Sequence, residues 1–208
     1  MNIDDFDRTI NELEDKYFDS DYILKEGKVP ILFTAPHTME QIKDDGSIKF
    51  AESFTKAIAL YLNKYADVSV LIKINDTGLD SNRFNNDDFK KELMSFVRNN
   101  DIKLVIDLHG AKEERDFDVE FGTMNNLSAD YSTIKLLEDS FIKNNITNIV
   151  HNDPFKGGAI TQSLYEIKGV DAIQLEINSK FRNESNIEKL KQVCDALEDF
   201  INKYKEYL

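Results

Sequence analysis

Apolar residues along this chain alternate between helical spacing and short unbroken runs. Phe6, Ile10, Leu13 and Tyr17 predict a helix from Asp4 to Tyr17. Phe50, Phe54, Ile58 and Leu62 stand four apart and predict an amphipathic helix from Ser47 to Tyr65. A helix is also expected over Asp87–Arg98, with Asp87 and Asp88 favouring the positive end of its dipole. Ile134, Leu137 and Phe141 give the inner face of a helix over Ser132–Lys143, and a last helix runs from about Asn186 to Tyr204.

Between these lie strand-length runs. Val29–Ala35 ends at Pro36, Val68–Ile74 follows the second helix, and Lys103–Leu108 is almost wholly apolar, as buried parallel strands are. Phe117–Thr123 alternates polar and apolar residues, the mark of an antiparallel or edge strand. Asn148–Val150 and Asp171–Ile177 complete the set. Strands that alternate with helices imply an α/β sandwich with a mostly parallel sheet. No internal repeat, low-complexity tract or Pro/Gly/Ser linker interrupts residues 1–208, so one domain is expected.

His37, His109, His151 and Glu176 each fall at or just past the C-terminal end of an expected strand. Ligands of open α/β sheets bind in the crevice outside those ends. All three histidines of the chain are in this set, which is the strongest functional signal in the sequence.

Composition narrows the choices. The net charge is −13, a field that repels phosphate backbones and disfavours nucleic acid as a partner. An anionic substrate would need a local group of cations. The single cysteine, Cys194, rules out an intramolecular disulfide. No run approaches the ~20 apolar residues that span a bilayer, and the acidic start lacks a basic segment followed by an apolar one, so a cytoplasmic, non-membrane protein is expected. No GxxxxGK[ST] or GxGxxG motif is present, which disfavours a nucleotide-binding site.

The segment Pro36-His37-Thr38-Met39-Glu40 holds an H-x-x-E spacing that lets imidazole and carboxylate share one side of a turn or a helical start. Catalytic zinc takes three protein ligands and keeps a fourth position for water. His109, in Asp107-Leu108-His109-Gly110, is the natural third ligand beside His37 and Glu40. Alone, the H-x-x-E spacing is equally explained by a surface turn. Asp107 shares a strand face with His109 and is placed to fix its tautomer, while Gly110 would allow close approach to the backbone. Glu176 closes an apolar strand, where a carboxylate beside an activated water would act as general base; a solvated strand end is the alternative.

Three further residues lie on polar loops. Arg83 suits a bidentate clamp on a substrate carboxylate, with a surface salt bridge as the alternative. Lys156, ahead of Gly157 and Gly158, would add charge beside backbone amides able to face an anion, unless the glycines make a plain turn. His151 is a candidate proton donor, substrate contact or structural hydrogen-bonding group.

Taken in order, a strand followed by PHT, then SNR, DLHG, HNDPFKGG and QLEIN resembles the N-formylglutamate amidohydrolase family, itself similar to the zinc carboxypeptidase clan. The likeness runs from about Val29 to Asn178. It implies a three-layer α/β/α sandwich with a mixed, mostly parallel sheet, of the phosphorylase/hydrolase kind, and one zinc ion per chain. His37, Glu40 and His109 match the ligands, Glu176 the general base, and Asn82 with Arg83 the residues that engage substrate. The implied reaction is hydrolysis of an amide in a small acidic acyl-amino acid. Thr38, Met39 and Gly110 depart from the expected pattern, so a peptide C-terminus or a γ-glutamyl bond also suits this machinery, as does a silent member that binds an acidic ligand. The sequence is silent on oligomeric state.

Overall fold

The computed structural model describes residues 1–42, 47–75, 80–82 and 87–207. The chain begins with helix α1 (Ile3–Glu14), in which Asn2 accepts the Asp5 N–H as an N-cap. Then come strand β1 (Tyr22–Lys25), strand β2 (Val29–Ala35), the paired short strands β3 (Gln41–Ile42) and β4 (Ile48–Lys49), and helix α2 (Thr55–Ala66). Strand β5 (Val68–Lys73), helix α3 (Asp88–Asn99), strand β6 (Leu104–Ala111), strand β7 (Val119–Gly122) and helix α4 (Tyr131–Lys143) form the middle. Strand β8 (Ile149–His151), helix α5 (Ala159–Tyr165), strand β9 (Asp171–Asn178) and helix α6 (Ile187–Tyr207) complete the chain.

Seven strands make one sheet in the order β1-β5-β2-β6-β9-β7-β8. The pairs β2/β5, β2/β6, β6/β9 and β7/β8 are parallel, whereas β1/β5 and β7/β9 are antiparallel. This is the expected mixed, mostly parallel sheet with helices on both faces. The strand expected over Phe117–Thr123 is antiparallel, but it is not an edge, because β8 pairs with its outer side.

Strand alternation sorts the residues of the central strands onto two unlike faces. Phe33, Ile106, Leu108, Ile173, Leu175 and Phe121 turn to the large core that α1, α2, α4 and α6 cover. Leu32, Val105 and Ala172, aligned across β2, β6 and β9, turn the other way and pack under α3 and α5. Toward the C-terminal ends that second face becomes polar: Thr34, Asp107 and Gln174 make one row, and His109 with Glu176 the next. His109, Gln174 and Glu176 from these rows line a cleft, and the candidate site lies there.

The helix expected from Ser47 differs. It starts at Thr55, and Phe50 is 72% exposed. The preceding residues form β4 and a turn, because Phe54 takes a left-handed conformation (φ 65°) that stops the helix from extending backwards. Glu14 at the end of α1 accepts the N–H groups of Phe54 and Ala57 and so supplies the cap from a distant element. Strand β1, the β3/β4 pair and helix α5 are short and carry no pattern long enough to announce them. Among the described residues, no helix is long and apolar enough to cross a membrane.

Candidate metal centre

His37 follows the end of β2 in a turn that spans Pro36 to Met39, and His109 stands inside β6. Both imidazoles are only 2% exposed. Their Nδ1 atoms face one another at 3.1 Å. Glu52, in the turn before α2, completes the group: Oε1 is 3.1 Å from His37 Nδ1 and Oε2 is 3.4 Å from His109 Nδ1. One donor atom from each of the three lies within 4.8 Å of the others, a group able to hold a metal ion.

The outer nitrogens are held as well. His37 Nε2 donates to Asp80 Oδ1 at 2.8 Å, and His109 Nε2 donates to Asp107 Oδ2 at 2.8 Å. Carboxylates on both Nε2 positions fix the tautomers that turn both Nδ1 lone pairs inward. Asp107 is itself oriented by Thr34, whose hydroxyl donates to Oδ1 at 2.5 Å. Two inward lone pairs and a carboxylate make a site of negative potential that a divalent cation satisfies, so the donor set fits zinc. Lys49 Nζ lies 2.7 Å from His37 Nδ1 and 3.7 Å from Glu52, adding a cation to the same group.

Charge coupling is correspondingly strong. Burial would raise the Glu52 carboxyl, but His37 and His109 together hold it well below the usual carboxylate range. Burial would lower His109, yet Asp107 and Glu52 hold it well above an ordinary histidine. Asp80 is likewise depressed: burial opposes ionisation, and His37 and Lys49 outweigh it.

Glu40 is not part of this group. The turn at residues 36–39 is not helical, so the three-residue spacing sends Glu40 to an exposed position leading into β3. The carboxylate beside His37 comes instead from Glu52, whose N–H donates to the His37 carbonyl at 2.8 Å. Gly110 N–H donates to Glu52 Oε2 at 3.0 Å. Arg182 secures the same turn by donating to Ser53 O, Ile177 O and Ala111 O. A side chain at Gly110 would run into the Arg182 guanidinium, so the glycine makes room for arginine as well as opening the backbone.

Glu176 is the register partner of His109 on the neighbouring strand and borders the same cleft, whose volume is about 450 Å³. Gln174 Nε2 donates to Glu176 Oε1 at 2.7 Å. Burial, the largest influence, raises the Glu176 carboxyl, with His109 pulling the other way. Asn82 and Lys156 also line the cleft. Asn82 is anchored through Oδ1, which accepts the Ile160 N–H at 3.2 Å, and Nδ2 approaches His109 Nε2 at 3.4 Å. Gly158 N–H donates to Gln174 Oε1 at 2.5 Å rather than facing the cleft as an anion-binding amide.

His151 does not join them. Its register partner is Phe121, on the apolar face of the sheet, and the two rings meet edge-on at 5.2 Å. Arg83 and residues 76–79 lie outside the described residues. Glu52, Asp80, Lys49 and Gln174 were not singled out by sequence. Glu52 was hidden inside an apparently helical stretch. The turn-forming Gly46 and the cap-type Ser53 are the signals that the helix begins later.

The fold is shared with solved amidohydrolases and carboxypeptidases. An N-formylglutamate amidohydrolase from Ralstonia eutropha superimposes with a TM-score of 0.66 at 13% identity, over 90% of this chain and 99% of that one. A bacteriophage poly-gamma-glutamate hydrolase gives 0.62 at 15% identity, over 93% and 94%. A metallo-carboxypeptidase from Burkholderia cenocepacia gives 0.53 at 13% identity, over 96% and 68%. Residues 86–181 match the N-formylglutamate amidohydrolase family model, a span that holds Asp107, His109, Lys156, Gln174 and Glu176. No curated protein matches the chain by sequence. The family match supports a hydrolase of amidohydrolase type, and the solved structures show the fold.

Proposed function

We propose that this chain is a zinc-dependent amidohydrolase acting on a small acidic N-acyl amino acid, with His37, Glu52 and His109 as the metal ligands. The observation that carries this reading is the meeting of two buried, carboxylate-backed imidazoles and Glu52 one strand away from Glu176. Zinc held there would supply a Lewis acid and a water acidic enough to react at neutral pH.

The chain's own residues do the rest. Glu176 serves as the general base, and burial raises its proton affinity above that of an ordinary carboxylate. Gln174 holds one of its oxygens and so fixes the orientation of the carboxyl group. Asp80 and Asp107 keep the Nε2 protons in place, so both imidazoles stay oriented while charge changes in the cleft. Lys49 and Lys156 are the lysines lining the cleft among the described residues, and they oppose the net charge of −13 where an acidic substrate enters. Asn82 borders the same space and is placed to hydrogen-bond a substrate carbonyl or carboxylate.

The substrate expected from the family match is N-formyl-L-glutamate or a close relative. The phage poly-gamma-glutamate hydrolase, which this chain covers over 94% of its length, adds γ-glutamyl amides as a second substrate class. The test is hydrolysis of N-formyl-L-glutamate, γ-glutamyl oligomers and peptides with a free C-terminus by protein of known zinc content, with and without a chelator. Zinc-dependent release of formate or glutamate supports the reading. Cleavage of the peptides alone would transfer the chain to the carboxypeptidase type, and no hydrolysis with zinc bound would make it a binding protein.

A further inference from the structure

Glu120 sits in β7 with no solvent exposure, and no step above uses it. Register places it directly opposite Glu176 on β9, which is in turn opposite His109 on β6. The three side chains make a row on one face of the sheet. His109 and Glu176 border the cleft and Glu120 does not, so substrate cannot touch it.

Its carboxylate serves the cleft wall instead. Oε1 accepts the Phe155 N–H at 2.7 Å, and Oε2, equally buried, has no hydrogen-bond partner among the described residues. Two residues along the same face, a side chain at Gly122 would come within 2.6 Å of Gly157 N and 2.7 Å of Phe155 O, so the segment 153–158 lies flat on β7. Met124 N–H donates to Lys156 O at 2.6 Å, and Asn152 Oδ1 accepts the Thr123 N–H at 2.8 Å. Pro154 to Gly158 form one wall of the cleft and carry Lys156. Burial pushes the Glu120 carboxyl up to about 7, with the Phe155 and Asp153 backbone opposing and Glu176 adding repulsion. A group that packed only for volume would be better apolar, since a buried carboxyl with an empty oxygen is costly.

We propose that Glu120 is a positioning residue that seats the 153–158 segment and thereby sets substrate affinity rather than the rate of the chemical step. This rests on the hydrolase reading for its kinetic consequence, but not for its structural one. The test compares Glu120→Ala with Glu120→Gln, which keeps an acceptor for the Phe155 N–H, as zinc-loaded proteins.

In Glu120→Ala, amide hydrogen exchange in 153–158 should rise at least ~10-fold while β6 and β9 stay protected, the loss of a buried hydrogen bond being worth about that factor. Zinc content should be unchanged, KM should rise about tenfold, and kcat should stay within about threefold, the pattern of lost uniform binding. Glu120→Gln should restore both exchange protection and KM. Unchanged exchange in Glu120→Ala, or a fall in kcat with KM fixed, would overturn the proposal. If the parent protein hydrolyses none of the substrates offered, the hydrolase reading fails and the exchange comparison alone decides the role of Glu120.

Discussion

The Nδ1 atoms of His37 and His109 face each other at 3.1 Å although 72 positions separate the residues in the chain. Each ring is turned inward from behind, His37 by Asp80 and His109 by Asp107. Asp107 and Glu52 raise the proton affinity of His109, and a proton on one of the two Nδ1 atoms makes this contact a hydrogen bond that a divalent cation would replace. Glu52 and Lys49 lie beside the pair and add one charge of each sign to it.

The choice between Glu52 and Glu40 is open to a direct comparison. Glu52→Gln should weaken zinc binding by more than the ~10–100-fold typical of losing an outer partner, because it removes a direct donor. Glu40→Gln, at an exposed position, should bind zinc like the parent. Competition titration with a chromogenic chelator reads both. Parent-like affinity in Glu52→Gln would return the third ligand to the H-x-x-E motif.

Asp107 donates nothing to the metal in this scheme, yet it should matter almost as much. Asp107→Asn leaves a near-isosteric group, but its amide can present N–H to His109 Nε2 and favour the wrong tautomer. Zinc affinity should fall about 10–100-fold, with the fold retained. Circular dichroism and zinc titration separate this outcome from unfolding.

Glu176→Gln should keep stoichiometric zinc and lose about 10²–10⁴-fold in kcat, the usual contribution of a positioned general base. Single-turnover measurements would assign the loss to chemistry rather than product release. A variant as active as the parent would remove Glu176 from proton transfer.

The sheet was legible from sequence because its central strands are long and nearly continuous in apolar residues: Val29–Ala35 emerged with the same bounds, and Asp171–Asn178 was one residue longer. The placement of His109, Asp107 and Glu176 on one face of the sheet was legible for the same reason, since period-two alternation fixes which residues share a face. Failures came where tertiary contacts decide. Glu52 reaches the site only because Phe54 breaks the helix and Glu14 caps it from α1, neither of which leaves a local pattern. Glu40 satisfied a spacing rule whose helical premise the turn at residues 36–39 does not meet. His151 ended on a strand as expected, but pairing with Phe121 faces it away from the cleft. A strand end predicts position along the sheet; only register predicts the face.

Glu120 gives the chain a pH dependence whose sign follows from its burial. Its carboxyl rises from an ordinary 4.5 to about 7 in the folded protein. Between those values the folded chain binds more protons than the unfolded chain, so stability falls as pH rises. The stabilising contribution of the protonated group is complete below about 4.5 and is lost as pH rises through about 7. At 1.36 kcal/mol per unit the difference amounts to roughly 3 kcal/mol. Glu120→Gln lacks this titration, so its stability relative to the parent should increase by up to that amount between pH 4.5 and pH 8. Urea denaturation of both proteins across that range reads the difference, which also cancels the titration of His109 and Glu176 to first order. A constant offset between the two curves would mean that Glu120 stays ionised when buried, and that the loop amides stabilise its charge more than burial penalises it.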